Sequence, residues 1–176
     1  MKTIALAATA FVLITSACNK KVIYNANLRA TLDSKTITPE KLQFYIDRDL
    51  EMRREIASNN TKITDGKIQQ TKGKQIELLN LKELTPGVCV SFNDSSLRVA
   101  FDQQNYLTFV AQSDDPNYTN YTLQTSINKN GQHEIAYGNQ TYIVTETATH
   151  AVLLVKRKDA NKLKVKTKTI KGRKIN

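Results

Sequence analysis

A period of two, repeated along most of the chain, is the feature that most constrains its fold. Short runs rich in β-branched and aromatic residues follow one another: "LQFYI" (42–46), "QIELLNL" (75–81), "VCVSF" (88–92), "LRVAF" (97–101), "YLTFVA" (106–111), "YTLQTSI" (121–127), "HEIAY" (133–137), "TYIVT" (141–145) and "AVLLV" (151–155). Extended chain sends alternate side chains to opposite faces, so each run can bury one face and wet the other. Turn signals separate them: Pro86-Gly87, Asn93-Asp94, Asp114-Asp115-Pro116-Asn117, Asn130-Gly131 and Gly138-Asn139. Asn130-Gly131 predicts a type I′ hairpin, which needs positive φ at both central residues. Together these features predict an all-β domain, a single antiparallel β-sandwich or small barrel of about 8–11 short strands.

The stretch "TPEKLQFYIDRDLEMRREIA" (38–57) admits two readings. Thr38 could cap a helix with Pro39 at its first position, placing Leu42, Ile46, Leu50 and Ile56 roughly on one face. Alternatively a short turn at 39–41 leads into a strand 42–47, a reversal at Asp47-Arg48-Asp49 and a second strand 50–57. We read strands.

The amino terminus carries an address. A charged start, Met1-Lys2-Thr3, precedes an uncharged run from Ile4 to Ile14 and the small residues Thr15-Ser16-Ala17, the three parts of a bacterial export signal. The uncharged run is too short for a permanent membrane helix, which needs roughly 20 apolar residues. Cys18, directly after Ala17, resembles the modified cysteine of bacterial lipoproteins, whose thiol takes a diacylglycerol and whose new amino terminus is acylated. The likeness covers the first 18 residues. Thr15 stands where the family's motif has Leu, and Thr15-Ser16-Ala17 equally fits an ordinary secretory cut, which would leave a soluble exported protein. We expect lipidation at Cys18, a signal peptide 1–17, a lipidated amino terminus and tether 18–36, and a β-rich domain 37–176. Asn19 after the cysteine, by resemblance to gram-negative sorting signals, implies the outer membrane; the absence of an acidic run after Cys18 favours its periplasmic leaflet.

Further landmarks, "LQFYIDRDLEMRREI", "TPGV", "LRVAF", "YGNQTY" and "KGRKIN", are similar to those of a group of uncharacterised bacterial lipoproteins. The similarity spans about 40–176 and implies the same address and a β-rich domain; it carries no catalytic residues.

Charge is concentrated at the other end. Residues 156–176 hold ten Lys or Arg against one acid, Asp159, while the whole chain is +10, so the basicity belongs to the tail. Within it "KLKVKTKT" alternates strictly, putting Lys162, Lys164, Lys166 and Lys168 on one face of an extended chain and Leu163 and Val165 on the other. Those lysines can protect an edge strand from intermolecular pairing. With Lys171, Arg173 and Lys174 they also make a candidate strip for anionic lipid, acidic glycan or an acidic envelope protein. Nucleic acid is not expected to meet an exported chain.

Chemistry-bearing motifs are missing. No Gly-rich phosphate loop, G-x-S-x-G elbow, H-E-x-x-H or clustered Cys/His pair occurs, so no catalytic residues, metal or cofactor are expected. Cys89 in "GVCVSF" reads as a small buried apolar residue; nucleophilic use would need His133 or His150 as a partner. Glu134 and Glu146 read as solvent-facing. With tryptophan absent, a carbohydrate platform would fall to Tyr106, Tyr118, Tyr121, Tyr137 or Tyr142, residues that more often pack half-buried in β domains. The expected function is a membrane-anchored envelope lipoprotein with a non-catalytic binding or structural role, accessory to a larger envelope assembly. The alternative is a small envelope hydrolase acting on cell-wall or glycolipid material.

Overall fold

The computed structural model describes residues 20–56, 67–71, 74–112 and 119–161. Within them thirteen strands run β1 (Lys21–Ile23), β2 (Gln43–Ile46), β3 (Leu50–Ile56), β4 (Lys67–Thr71), β5 (Lys74–Leu81), β6 (Pro86–Phe92), β7 (Ser96–Ala100), β8 (Tyr106–Gln112), β9 (Asn120–Leu123), β10 (Ser126–Ile127), β11 (His133–Tyr137), β12 (Gln140–Val144) and β13 (Leu153–Lys156). Three helices, α1 (Ala26–Asp33), α2 (Glu146–Thr149) and α3 (Arg157–Ala160), and one 3-10 turn (Pro39–Lys41) complete the elements. Two antiparallel sheets form, ordered β1-β13-β2-β6-β7-β8-β9 and β10-β11-β12-β3-β5-β4. The fold is all-β, consistent with a sandwich.

The larger sheet curls until its edges meet. Asn25 bridges Asn120 and Thr122 bridges Val152, and the Leu123 N–H donates to the Ala151 carbonyl at 2.9 Å, without a continuous ladder closing a barrel. Its inward face supplies Phe44, Leu97, Val99, Leu107, Phe109, Tyr121 and Val155, all essentially inaccessible, and the smaller sheet adds Leu50, Met52, Ile135, Tyr142 and Val144 to the same core. Tyr24 meets Phe44 edge-on at 5.1 Å and 87°, the arrangement the ring quadrupoles prefer.

Over the described residues 38–56 the strand reading holds. Pro39 starts a single 3-10 turn, β2 and β3 follow, and Asp47-Arg48-Asp49 is the corner where the chain leaves one sheet for the other. Both acids are tied there: Asp47 accepts from the Val152 N–H at 2.8 Å, and Asp49 from the Glu83 N–H at 2.7 Å and Lys82 Nζ at 2.8 Å. Helix formation loses because Phe44, Tyr45 and Ile46 are all buried, which demands cover on both sides of the chain.

Several expectations are corrected. Residues 20–36 are not a tether: β1 pairs with β13, Asn25 caps α1 by accepting from the Leu28 N–H at 2.8 Å, and Tyr24 and Leu32 are buried in the core. Few apolar residues anchor so short a strand and helix, hence no period was visible. The Asn130-Gly131 turn is not type I′. Gly131 takes φ +75° while Asn130 has no positive φ, and the Asn128 N–H bonds the Gln132 carbonyl at 2.9 Å across a longer loop. Gly138-Asn139 is the two-residue turn, with φ +61° at Gly138 alone, the II′ arrangement. Pro86-Gly87 opens β6 instead of turning; a Cβ at Gly87 would lie 2.7 Å from the Phe101 ring, so the glycine is there for close packing. The run 121–127 divides at Gln124 between the two sheets.

Candidate functional site

The loop between β7 and β8 folds over the smaller sheet and encloses a cleft of about 570 Å³. Met52 of β3, Glu77, Leu79 and Leu81 of β5, Tyr137 of β11 and Tyr142 of β12 form its floor, and residues 101–105 with the turn at Asn139 form its rim. Only Met52, Leu79, Leu81 and Phe101 of its lining are apolar, so it is more polar than most small-molecule pockets.

Two carboxylates line this cleft. Glu77 is 5% exposed and sits opposite Arg54 in the β3–β5 register. Arg54 Nε donates to Glu77 Oε2, and the Tyr142 hydroxyl donates to the same oxygen at 3.0 Å. The Arg54 guanidinium also lies 5.4 Å from the Tyr142 ring centroid and donates to the Gln140 side-chain carbonyl. Burial of the acid is thus balanced by charge-assisted hydrogen bonds.

Asp102, in an exposed turn, accepts from the Gln104 and Asn105 N–H groups at 2.7 and 2.6 Å, from Asn105 Nδ2 at 3.2 Å and from the Tyr137 hydroxyl. Burial opposes its ionisation, yet the Tyr137 hydroxyl and the two backbone donors outweigh burial and hold its carboxyl below the usual range. Burial and the same Asp102 contact push the Tyr137 hydroxyl well above its ordinary value. The Tyr137 and Tyr142 rings meet edge-on at 6.3 Å, joining the two acid–tyrosine pairs into one wall.

Cys18, Tyr118 and the basic strip Lys162, Lys164, Lys166, Lys168, Lys171, Arg173 and Lys174 lie outside the described residues. Cys89 is buried, its Sγ donating to the Ser91 carbonyl at 3.3 Å, and desolvation pushes its thiol up to about 11, where it is a poor nucleophile at neutral pH. Glu134 accepts from Asn128 Nδ2 at 2.8 Å and Glu146 opens α2, exposed; neither lines the cleft. Of the candidate tyrosines, Tyr137 and Tyr142 line it, Tyr121 is buried against Arg29 and Tyr106 stacks under Arg98. Among the described residues no group of three or more His, Cys, Asp or Glu could hold a metal.

Sequence reasoning missed Glu77, Asp102 and Arg54. Glu77 had a signal: in "QIELLNL" it shares one face of the strand with Leu79 and Leu81, an acid where an apolar residue is the norm. Asp102 had none beyond a polar turn. No family model, curated protein or solved structure matches this chain.

Proposed function

We propose that the chain is a lipid-anchored protein of the bacterial outer membrane, facing the periplasm, that binds its ligand in the cleft without transforming it. The observation that carries this reading is that both cleft carboxylates are already engaged by donors of the chain itself. Glu77 is engaged by Arg54 and Tyr142, and Asp102 by four donors that hold its pKa down. A glycosidase needs one carboxyl held protonated, with its pKa raised, and a second free to attack or to activate water. The amide groups of Asn80, Asn105, Asn139 and Gln140 beside two tyrosines suit a neutral polar ligand with many hydroxyls, such as a stretch of envelope glycan. The address is supported by the signal-like start and the placement of Cys18, and the alternating lysines of 162–168 add attraction to anionic partners in an envelope assembly.

Two measurements test this. Intact mass of membrane-extracted protein should give a chain starting at Cys18 with added acyl mass; a soluble, unmodified product would defeat the anchor. Titration with defined neutral oligosaccharides from the envelope should show saturable binding that Asn105→Ala and Gln140→Ala weaken, with the oligosaccharide recovered intact. Shortened oligosaccharide, abolished by Glu77→Gln or Asp102→Asn, would establish the hydrolase instead.

A further inference from the structure

We propose that one outward side of the curled seven-stranded sheet, the side that carries β13, β2 and β6, lies against the membrane and that its partner is the anionic lipid surface. The inference rests on the acylation of Cys18 proposed above.

Charge is divided between the two sheets. The seven strands of the larger sheet contain no Asp or Glu and carry Lys21, Arg98 and Lys156, a net positive set, whereas in the six strands of the smaller one Glu51, Glu55, Glu77 and Glu134 are balanced by Arg53, Arg54, Lys67 and Lys74. On the acid-free sheet the outward residues align in rows across neighbouring strands. One row runs Ile23–Leu154–Tyr45–Pro86 and another Gln43–Val88–Ala100–Tyr106. Ile23 is 45%, Val88 51% and Val90 48% exposed, an unusual density of bare aliphatic side chains for one face.

The cations are placed among them. Lys21 and Lys156 lie 4.6 and 5.6 Å from the Tyr45 ring centroid, and Arg98 lies 5.1 Å from that of Tyr106. Exposed aliphatic groups, the half-exposed Tyr106 and cations on one surface, with no acid in its strands, is the chemistry that settles at the headgroup boundary.

Position selects the bilayer over other occupants. Lys21 of β1, the edge strand of this sheet, is three residues after Cys18. A chain of that length spans at most about 11 Å. An acylated Cys18 therefore holds this edge at the headgroups, where even weak affinity is effective because the surface is always within reach.

The chain has no tryptophan, so Val88→Trp and Ile127→Trp each create a single reporter, the first on this face and the second on the other sheet, where Ile127 is 67% exposed. The full lipid-anchored protein would be reconstituted in vesicles of phosphatidylethanolamine and phosphatidylglycerol with brominated acyl chains. Quenching of Val88→Trp should exceed that of Ile127→Trp at least about twofold and weaken when phosphatidylglycerol is omitted or salt is raised. Equal quenching, or none at Val88→Trp, overturns the proposal, as does a Val88→Trp reporter shielded in a dimer of the chain whatever the lipid. If Val88→Trp fails to fold, Val90→Trp replaces it. Intact mass of the same sample separates the two readings: acylated protein with an unquenched reporter defeats this inference alone. If the protein is unacylated, the anchor fails, and the reporter is read on protein added to the same vesicles, where quenching upholds the face and its absence overturns it.

Discussion

Glu77 is the residue on which the cleft's geometry depends most. Its carboxylate is nearly inaccessible, and both of its side-chain donors, Arg54 and Tyr142, converge on one oxygen. Removing one partner of such a pair strands the others, which costs more than the pair's net contribution. Glu77→Ala should lower stability by about 2–3 kcal/mol in urea unfolding, tempered because Arg54 keeps some solvent, whereas Glu77→Gln, which keeps an acceptor, should cost about half as much. Equal losses would show that shape, not hydrogen bonding, is what Glu77 contributes. Asp102 behaves differently because it is exposed. Its folded pKa is lowered, so its stabilisation is present above the unfolded value of about 3.9 and lost as pH falls through the lower folded value. Asp102→Asn should therefore cost roughly 0.5–1 kcal/mol at pH 7, a small effect because solvent screens the group, and the gap from wild type should close near pH 2. A gap independent of pH would assign the effect to the turn's shape.

At the scale of elements, what was legible in the sequence was what is local and periodic. The runs that became β5, β6, β7, β8, β11 and β12 each alternate over several residues, and their bounds fall close to the observed ones. What stayed hidden depends on partners far along the chain. β1 and α1 are held by β13 and by the core, and the division of 121–127 follows from where Thr108 accepts from the Gln124 N–H at 2.8 Å. Neither leaves a trace in spacing. The cleft was hidden for the same reason, since it exists where the β7–β8 loop crosses onto β5, β11 and β12. Gly138 tests that crossing. Its φ of +61° is unfavourable for other residues, and a Cβ there would run into the Asn105 side chain. Gly138→Ala should cost about 1–2 kcal/mol and speed hydrogen exchange at the Gln104 and Asn105 amides that bond Asp102. Unchanged exchange would mean that the rim is held independently of the β11–β12 turn.

At the scale of the molecule, the two sheets share one core, and the chain passes between them four times, from β2 to β3, β5 to β6, β9 to β10 and β12 to β13. Neither sheet has a closed apolar interior of its own, so the domain should unfold as one unit. Tyr24 is the sharpest probe of that unity because it comes from the stretch whose composition reads as a tether. It is 1% exposed, meets Phe44 edge-on and Tyr121 at a tilt, and its backbone N–H donates to the Leu153 carbonyl at 2.8 Å. Truncating a large buried aromatic leaves a cavity and costs about 3–5 kcal/mol. For a domain of this size that corresponds to a fall in thermal midpoint of roughly 6–20 °C. The fall should be the same by far-UV circular dichroism, which follows both sheets, and by near-UV signals of the remaining core tyrosines. Tyr24→Ala with an unchanged midpoint would return residues 20–36 to a tether, and two separated transitions would mean that the sheets are stable independently.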